Sequence, residues 1–471
     1  MSPRPAGIEQ DLAKLIGAEA ILSGDSAQAR PYLSDATESR AIHGRADAVA
    51  TPATASEVAT LLAWCYAHDV PLVARGGGTG YAGGAVPTDG GVVLSLERLT
   101  APVALEPEQW RARCLAGVRT GDLRRRARES GLFYPPDPGS AESSTVGGNI
   151  ATNAGGPHSF KYGVTGAWVT GLQVAVAPGE LIQLGGPLRK DVAGYDLKSL
   201  IIGSEGTLGI VTEAWLRLIP APEAAVPVVG FYGSAQDGCA VLDAILATGL
   251  QPATLEFLDH GALAASIRAL VQVAQALPLQ AEDATRFMLI AEADGSAEEA
   301  TELRRELRAV MAPEAVTVYA PTARRDVADL WRWRDGVSLA VTAQRGGKLS
   351  EDIVVPVERL AEAIAAIVEI GEHHHLPACS WGHAGDGNLH ATFMVDRSDA
   401  ELLHRAEEAA GELFSLAVRL GGSVSGEHGI GIVKRGALAL QWAPAALELH
   451  DRVKQTFDPK GLLNPGKKLA R

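Results

Sequence analysis

The sequence predicts an α+β protein of two folded units, with a C-terminal segment that returns to the first unit. The chain has 471 residues, more than one ordinary domain holds. Near residue 222 short strands and glycine clusters give way to longer helices between strands, and the last stretch is again rich in glycine. We therefore expect a first unit at 1–222, a second at 223–420 and a returning segment at 421–471.

The first unit opens with helical patterns at 8–23 and 56–68, where apolar residues recur at helical spacing. The elements expected after them are a strand in "VPLVA" that runs into a glycine loop, a strand in "GGVVLSLERL", a basic helix at 121–130, a hairpin in "TGLQVAVAPGELIQLGG" and a strand at 206–220. Pro220 and Pro222 close this last strand.

The second unit is predicted to alternate helices with strands. Helical patterns lie at 298–310 and 357–375, and "RFMLIAEAD" has the composition of a strand. Three consecutive histidines, 373–375, end the second helix. Adjacent side chains on a helix point apart, which argues against a shared metal there.

Composition and charge disfavour several classes of partner and location. The net charge of −14 argues against nucleic acid or an anionic membrane as a general partner. No apolar run has the length that crosses a bilayer, and the start "MSPRPAGIEQDLAKLIG" lacks the apolar core of a signal peptide. The four cysteines are scattered without a CxxC pair, so we expect a cytosolic protein without disulfides.

The loop "RGGGTGYAGG" at 75–84 offers many main-chain N–H groups. No GK[ST] follows, which excludes a Walker loop, and a GxGxxG-like spacing can only be forced onto Gly76–Gly84, which is a weak match to a dinucleotide fingerprint. Two interpretations remain open from these residues alone, a pyrophosphate cradle and a plain glycine turn.

Two stretches, "SWGHAGDGNLH" and "SGEHGIG", contain the candidate metal ligands. His383 and His390 are seven residues apart, which on an unbroken strand would place them on opposite faces. A Gly-Asp-Gly turn between them, shaped by Asp386, would bring both rings to one point. With Glu427 they form a ligand set suited to catalytic zinc or iron, whereas histidines satisfied in a core are the alternative.

The stretches "YPPDPGSAESSTVGGNIATNAGG" (134–156) and "GSEGTLGIVTEAWLRL" (203–218), together with the first glycine loop, resemble the FAD-binding domain of the vanillyl-alcohol oxidase superfamily. Within it, the chain is most similar to the FAD-linked D-2-hydroxyacid dehydrogenases, which include D-lactate dehydrogenase, the glycolate oxidase flavin subunit and D-2-hydroxyglutarate dehydrogenase. The resemblance runs from about residue 40 to the C-terminus. It implies an FAD domain of that type and an α+β substrate (cap) domain with an antiparallel sheet.

The resemblance also implies which residues hold the cofactor. The expected FAD contacts are Arg75, Gly76, Gly77, Gly78, Thr79, Gly80, Gly83, Pro135, Asp137, Ser140, Gly147, Gly148, Asn149, Thr152, Asn153, Gly155, Glu205, Gly206, Gly209, Ile210 and Asn464. Relatives that bind FAD covalently use histidine or cysteine at the flavin, and the first loop has neither, so we expect non-covalent FAD.

On the substrate side, "LWRWRDGVSLAV" taken alone fits an amphipathic helix with surface arginines. The resemblance instead implies that Arg334, with Arg332 as the second choice, and Lys348 bind the substrate carboxylate. Glu351 and Asp352 are expected to precede a strand, and we interpret them as structural, bonding a helix N-terminus or an arginine.

The resemblance assigns His383, His390 and Glu427 as metal ligands. His428 is next to the ligand Glu427 and is the expected general base. Zinc is the expected metal because the hydride goes to the flavin and the metal need not change oxidation state. Many relatives carry asparagine where this chain has Thr392, which weakens any transfer of substrate contacts at that position.

The expected reaction is oxidation of a small D-2-hydroxy acid to the 2-oxo acid, with hydride transfer to flavin N5. Two alternatives stay open: a flavin subunit active only within an electron-transfer complex, and an FAD transferase like the ether-lipid synthases. Expected partners are the 2-hydroxy acid and an electron acceptor such as a quinone, a cytochrome or an electron-transfer flavoprotein, and not nucleic acid. A homodimer is one expected assembly, and the expected location is the cytoplasm, free or peripheral to the membrane.

Overall fold

A computed structural model describes residues 7–270 and 285–469. Its helices are α1 Ile8–Ile16, α2 Ala55–Ala67, α3 Thr120–Glu129, α4 Val146–Thr152, α5 Ser159–Tyr162, α6 Leu197–Ile201, α7 Ala235–Ala247, α8 His260–Ala269, α9 Ala297–Met311, α10 Arg324–Asp335, α11 Val337–Ala343, α12 Leu360–His373, α13 Ala400–Arg419, α14 Leu438–Gln441 and α15 Pro444–Phe457. No helix among these described residues has the length and apolar character needed to span a membrane.

The strands are β1 Ile21–Ser23, β2 Ala48–Ala50, β3 Leu72–Arg75, β4 Val92–Ser95, β5 Ala104–Glu106, β6 Arg111–Leu115, β7 Leu132–Phe133, β8 Val169–Val176, β9 Glu180–Gly185, β10 Ile210–Arg217, β11 Ile219–Pro220, β12 Ala224–Tyr232, β13 Thr254–Asp259, β14 Phe287–Gly295, β15 Thr317–Tyr319, β16 Gly347–Val354, β17 Ala378–His383 and β18 Asn388–Val395. They form sheets in the orders β1-β2-β4-β3, β5-β6-β10-β8-β9, β11-β7 and β15-β12-β14-β13-β17-β18-β16. The α+β class is confirmed.

The local sequence explains most element boundaries. The hairpin expected in "TGLQVAVAPGELIQLGG" is present as β8 and β9, paired from Val176 with Glu180 to Gly171 with Gly185. The first helix is shorter than predicted, because Gly17 adopts φ +94° and ends α1, after which the chain forms a 3-10 turn and β1. The helix predicted from 357 begins instead at Leu360, after a 3-10 turn that follows Pro356.

The seven-stranded sheet is antiparallel throughout and has two different faces. One face packs on α7, α9, α12 and α13 to form the larger core of this half of the protein. The other face is apolar only where α8, α10 and α11 cover it. Along β14, Met288 and Ile290 lie under these helices, whereas Glu292 and Asp294 line a cavity. Since side chains alternate across a strand, these four residues share one face of β14, and Leu289, Ala291 and Ala293 between them face the larger core.

The C-terminal segment joins the two halves, as expected. Ser423 pairs with Val354 at the end of β16, and Leu463 then pairs in parallel with Leu72 on β3. Asn464 lies just beyond this pairing. Its side-chain amide donates to the carbonyls of Gly84 and Glu205, at 2.9 and 2.6 Å. The return to the first sheet is therefore built from both main-chain and side-chain hydrogen bonds.

Candidate active site

A cavity of about 920 Å³ lies between the glycine loops of the first half and the polar part of the seven-stranded sheet. All six residues expected to act on substrate or metal line it: Arg334, Lys348, His383, His390, Glu427 and His428. The expected FAD contacts that line it are Arg75, Gly76, Gly77, Gly78, Thr79, Gly80, Asp137, Ser140, Gly147, Gly148, Asn149, Thr152, Gly155, Glu205, Gly206, Gly209 and Ile210. One cavity thus brings the two predicted sets of residues together.

Four expected FAD contacts, Gly83, Pro135, Asn153 and Asn464, are not among the described residues that line the cavity. Gly83 packs against Ile432, so close that a Cβ there would lie 2.4 Å from its side chain. Asn153 ends α4 with φ +53° and accepts a hydrogen bond from the Gly166 N–H at 2.8 Å. Their geometry gives them supporting positions behind the cavity wall, and contact with FAD stays a prediction.

The glycine-rich segments that line the cavity pack closely on each other and leave some main chain accessible, as a phosphate-bearing cofactor needs. A Cβ at Gly77 would lie 2.2 Å from the Ser143 carbonyl, and one at Gly76 would lie 2.6 Å from Thr145 Oγ1. The loop after β3 therefore packs on the segment before α4 with no room for a side chain between them. At Gly80 and Gly139 an added Cβ would meet no described atom within 4 Å. Such accessible main chain is suited to donating N–H groups to a pyrophosphate, so these residues fit FAD.

Several of the expected FAD contacts use their side chains elsewhere, and Arg75 and Glu205 are two of them. The Arg75 guanidinium donates to the carbonyls of Ser34 and Pro31, at 2.6 and 2.9 Å, and so holds the N-terminal segment against the loop. The Glu205 carboxylate accepts hydrogen bonds from the N–H groups of Ile430 and Gly431, at 2.8 and 2.7 Å. For these two residues we now expect the side chain to support the site.

The two histidines meet at the end of a hairpin. His383 is the last residue of β17, and a short turn at Ala384–Asp386 with Gly387 at φ +68° leads into β18. The Gly-Asp-Gly turn is therefore present where the sequence predicts it. It places the rings of His383 and His390 with their centroids 5.5 Å apart.

Glu427 completes the cluster from the C-terminal segment. Its Oε1 lies 3.5 Å from His383 Nε2 and 3.6 Å from His390 Nε2, and one ligand atom from each of the three residues lies within 4.8 Å of the others. Two ligand atoms on one tetrahedral zinc ion are about 3.3 Å apart at ordinary bond lengths. The three side chains therefore fit a divalent metal.

Electrostatics act differently on the three side chains of the cluster. Burial, helped by His428, holds the pKa of His390 well below its ordinary value, which keeps a neutral imidazole ready to ligate. Burial alone would raise the pKa of Glu427, but its interaction with His383 outweighs burial and lowers that pKa to about 2. Burial would also lower the pKa of His383, yet the Glu256 carboxylate raises it well above the ordinary value.

Asp352 organises the turn that presents Glu427 and His428. One oxygen of this fully buried carboxylate accepts the N–H groups of Gly426, Glu427 and His428, at 2.6, 2.6 and 3.1 Å. The other receives the Lys434 ammonium. Burial alone would raise the pKa of Asp352, but the charge of Lys434 holds it well below its ordinary value. The interpretation of Asp352 as structural agrees with this geometry, although its partners are loop N–H groups and a lysine.

The sequence suggested that Glu351 and Asp352 precede a strand. Both instead lie inside β16. Lys434 Nζ contacts Asp352 and lies 3.5 Å from Glu351 Oε2. Glu351 forms an ion pair with Arg40, which is the arginine partner expected for one of the two acids.

His428 lies beside the cluster of His383, His390 and Glu427. Its ring stacks on that of His390 with centroids 5.2 Å apart and an interplanar angle of 17°. Its other neighbour is Tyr81 of the first glycine loop, at 4.6 Å between centroids. His428 Nδ1 lies 3.5 Å from Asp352 Oδ1. A carboxylate on the Nδ1 side favours the tautomer that leaves Nε2 free to accept a proton.

Arg334 is buried and paired, and Arg332 is neither in the cavity nor buried. The Arg334 guanidinium donates through Nε, at 2.8 Å, and through Nη2 to the same oxygen of Glu256. Arg332 is exposed on the opposite side of α10 and pairs with Asp329 at 2.7 Å. Of the two candidates, only Arg334 can donate to a ligand in the cavity.

Lys348 lies on the floor of the cavity. Its ammonium donates to Ser338 Oγ at 2.5 Å and lies 5.1 Å from the centroid of the Trp381 ring. Thr392, where relatives carry asparagine, is fully buried and its hydroxyl lies 2.7 Å from that of Ser350. Of these two paired residues, Ser350 lines the cavity and Thr392 does not.

A second cluster with metal-ligand atoms lies on the outer side of the sheet's helical layer. His373, His374 and Glu412 each offer one such atom within 4.8 Å of the others. The expectation that adjacent histidines here point apart is wrong, because His374 is the residue that ends α12 and has left helical geometry. Its Nε2 lies 3.1 Å from Glu412 Oε1, and these half-exposed ion pairs account for the cluster.

Sequence interpretation missed Glu256, which touches both halves of the candidate site. Glu256 lies in "TLEFLD" between the buried residues Leu255 and Phe257. A lone carboxylate in a strand of buried residues needs a charged or hydrogen-bonding partner, and that signal was available in the sequence.

Comparison with known proteins agrees with this geometry. Residues 46–185 match the family described as an FAD binding domain, and residues 221–468 match FAD linked oxidases, C-terminal domain. The glycolate oxidase subunit GlcD of Bacillus subtilis (strain 168) is 37% identical over 90% of this chain and 89% of its own length. The D-lactate dehydrogenase of Anaerostipes hadrus is 34% identical over 91% and 90%, and the D-2-hydroxyglutarate dehydrogenase of Stutzerimonas stutzeri (strain A1501) is 34% identical over 90% and 91%.

Solved structures at lower identity share the fold. The 4-ethylphenol oxidase from Gulosibacter chungangensis has a TM-score of 0.79 at 19% identity and covers 99% of each chain. An alkyldihydroxyacetonephosphate synthase has a TM-score of 0.75 at 18% identity and covers 99% of this chain and 87% of its own. The vanillyl-alcohol oxidase type of FAD fold is thereby confirmed. The chain belongs to the family of FAD-linked oxidases and is an FAD-dependent oxidoreductase.

Proposed function

We propose that this protein oxidises a D-2-hydroxy acid of the lactate, glycolate or 2-hydroxyglutarate type to the corresponding 2-oxo acid. One observation carries the proposal: His383, His390 and Glu427 converge in the same cavity as the glycine loops that fit FAD. Oxidation of a 2-hydroxy acid removes a proton from the hydroxyl and a hydride from Cα, and these two features would serve the two removals. Relatives named for glycolate, D-lactate and D-2-hydroxyglutarate support the substrate class.

The expected non-covalent FAD would accept the hydride from the substrate Cα, and a divalent ion held by His383, His390 and Glu427, for which zinc is our choice, would lower the pKa of the 2-hydroxyl. His428 is the proposed acceptor of the hydroxyl proton. The Asp352 carboxylate beside its Nδ1, at 3.5 Å, stabilises the positive charge that the ring gains.

Arg334 and Lys348 are the proposed carboxylate partners. Glu256 occupies Nε and one N–H of Nη2 on Arg334, which leaves the end of the guanidinium, Nη1 and the second N–H of Nη2, for a ligand. Lys348 supplies a second positive charge from the sheet floor, next to Ser338. The two cations counter the negative charge of a bound acid.

Two other functions are distinguishable by experiment. The relative from Bacillus subtilis is named as a subunit, which supports a flavin subunit that works with partner chains. The alkyldihydroxyacetonephosphate synthase supports a non-redox transferase by fold alone. The natural electron acceptor we propose is a quinone, a cytochrome or an electron-transfer flavoprotein.

The decisive test is anaerobic bleaching of the bound flavin by a panel of D- and L-2-hydroxy acids. Bleaching of the isolated chain by one or more D acids, without partners and with the L enantiomers inactive, is the expected result. Bleaching that requires added subunits would favour the subunit function, and no bleaching by any acid of the panel would contradict the proposal.

A further inference from the structure

Glu256 is a charged residue in the middle of a buried strand. It lies on β13 and its side chain is fully buried, with Leu255 and Phe257 in the opposite apolar layer. A carboxylate in such a place is costly unless its oxygens are hydrogen-bonded to cations or strong donors. Both oxygens of Glu256 are so bonded, and each one to a different part of the proposed site.

The two oxygens of Glu256 divide their contacts. Oε1 lies 2.5 Å from Nδ1 of His383, and Oε2 accepts from Nε and Nη2 of Arg334. The sheet fixes the first contact, because Glu256 and His383 are direct partners in the pairing of β13 with β17. The second contact ties α10 to the same strand pair. One carboxylate thus sets the separation between an imidazole and a guanidinium.

The contact with His383 selects one tautomer. Glu256 holds the proton on Nδ1, so Nε2, 3.5 Å from Glu427 Oε1, is the nitrogen that would coordinate a metal. Carboxylates that accept from the far nitrogen of a ligating histidine orient the ring and raise its basicity. The contact with Arg334 holds one edge of the guanidinium and leaves its end for a ligand.

Resting on the proposed function, we propose that Glu256 is a positioning residue that couples the metal subsite to the carboxylate subsite. It fixes His383 for coordination and Arg334 for substrate binding with one side chain. The alternative is a plain buried ion pair that contributes only to stability. The two differ in what Glu256→Gln does, because an amide cannot satisfy both partners.

A glutamine at this position has one acceptor and one donor group. If its carbonyl stays on Arg334, its amide faces His383 Nδ1 and forces the proton onto Nε2, the nitrogen that must bind metal. If its carbonyl faces His383, the amide opposes the N–H groups of Arg334. Either orientation displaces one subsite while the volume of the side chain is unchanged.

The test measures zinc affinity of FAD-loaded, metal-stripped protein by competition with a chromophoric chelator. His374→Ala serves as the background, so that the outer cluster with Glu412 does not contribute. Glu256→Gln is expected to lose about 10–100-fold in zinc affinity and to raise KM for the hydroxy acid, with FAD content retained. The matched control is Asp259→Asn, a buried carboxylate on the same strand that accepts from the Ser380 N–H at 2.6 Å. It should lower thermal stability and leave zinc affinity within about twofold.

Zinc affinity of Glu256→Gln equal to that of the background protein overturns the positioning role and leaves the proposed function intact. A background protein that binds no divalent metal and still oxidises the acid overturns the metal part of the proposed function as well. Should Glu256→Gln fail to fold, Glu256→Asp keeps the charge on a shorter side chain that cannot reach both partners. It is then expected to lose zinc affinity, and unchanged affinity would again overturn the inference.

Discussion

Replacing Asp352 with asparagine should weaken the hydrogen bonds that hold the turn carrying Glu427 and His428. The buried carboxylate accepts three main-chain N–H groups of that turn and pairs with Lys434, which is itself only 1% exposed. Asparagine removes the charge and places a donor where acceptors are needed. Breaking a buried ion pair by removing one partner costs about 3–5 kcal/mol, and a hydrogen bond to a charged group contributes roughly 1.5–3 kcal/mol. Because some of the N–H groups keep the asparagine carbonyl, we expect a loss of about 3–5 kcal/mol.

The assay is denaturant unfolding of the FAD-loaded protein, with zinc affinity measured in parallel. Lys434→Met and the double variant complete a double-mutant cycle, in which the double variant should be less destabilised than the sum of the single ones. Zinc affinity should fall with Asp352→Asn, because the Glu427 main chain is no longer held. A destabilisation below about 0.5 kcal/mol together with unchanged zinc affinity would refute this account of the turn.

Three further predictions follow from individual contacts. Burial alone would lower the pKa of His158, but the charge of Asp137 outweighs it and raises that pKa to about 10. The contact between the two therefore stabilises the fold fully below pH about 6.5, and this stabilisation fades as the pH rises through 10. The stability lost in His158→Gln should be on the order of 2–4 kcal/mol at pH 6 and should shrink toward pH 10 in thermal melts. A pH-independent loss would contradict this. Arg334→Ala should lose about 2–4 kcal/mol in kcat/KM for the hydroxy acid, whereas Arg332→Ala, its exposed control, should lose less than about 0.5 kcal/mol; equal losses would remove Arg334 from the site. Acid precipitation should leave a colourless pellet and a yellow supernatant, because we expect FAD to be held without a covalent bond; a yellow pellet would count against it.

Local patterns in the sequence were sufficient for the parts of the site that lie close together along the chain. Glycines on either side of Asp386 forecast the turn that brings His383 and His390 together, since few other residues accept φ +68° at Gly387. The glycine loops forecast an accessible main chain for the same reason. Element types were similarly local, and errors fell at boundaries such as Gly17, where a left-handed conformation ends α1 earlier than periodicity alone suggested.

Contacts between distant strands were beyond sequence interpretation. Glu256 and His383 are 127 residues apart and become neighbours only through the pairing of β13 with β17. Asp352 reaches the turn at Glu427 through the position of β16 at the edge of the sheet. A buried charge in a strand indicates that it has a hydrogen-bonding or charged partner, but the strand order decides which residue that partner is.

The central claim is that one cavity holds FAD and a metal that act on the same substrate, FAD at Cα and the metal at the 2-hydroxyl. The most direct measurement is the rate of anaerobic flavin reduction by a reactive D-2-hydroxy acid in three samples: untreated, chelated and zinc-restored, with FAD content determined in each. The account predicts full FAD content throughout, loss of flavin reduction after chelation, and its return with Zn²⁺ or another divalent ion. Undiminished flavin reduction in protein shown by elemental analysis to be free of metal would contradict it.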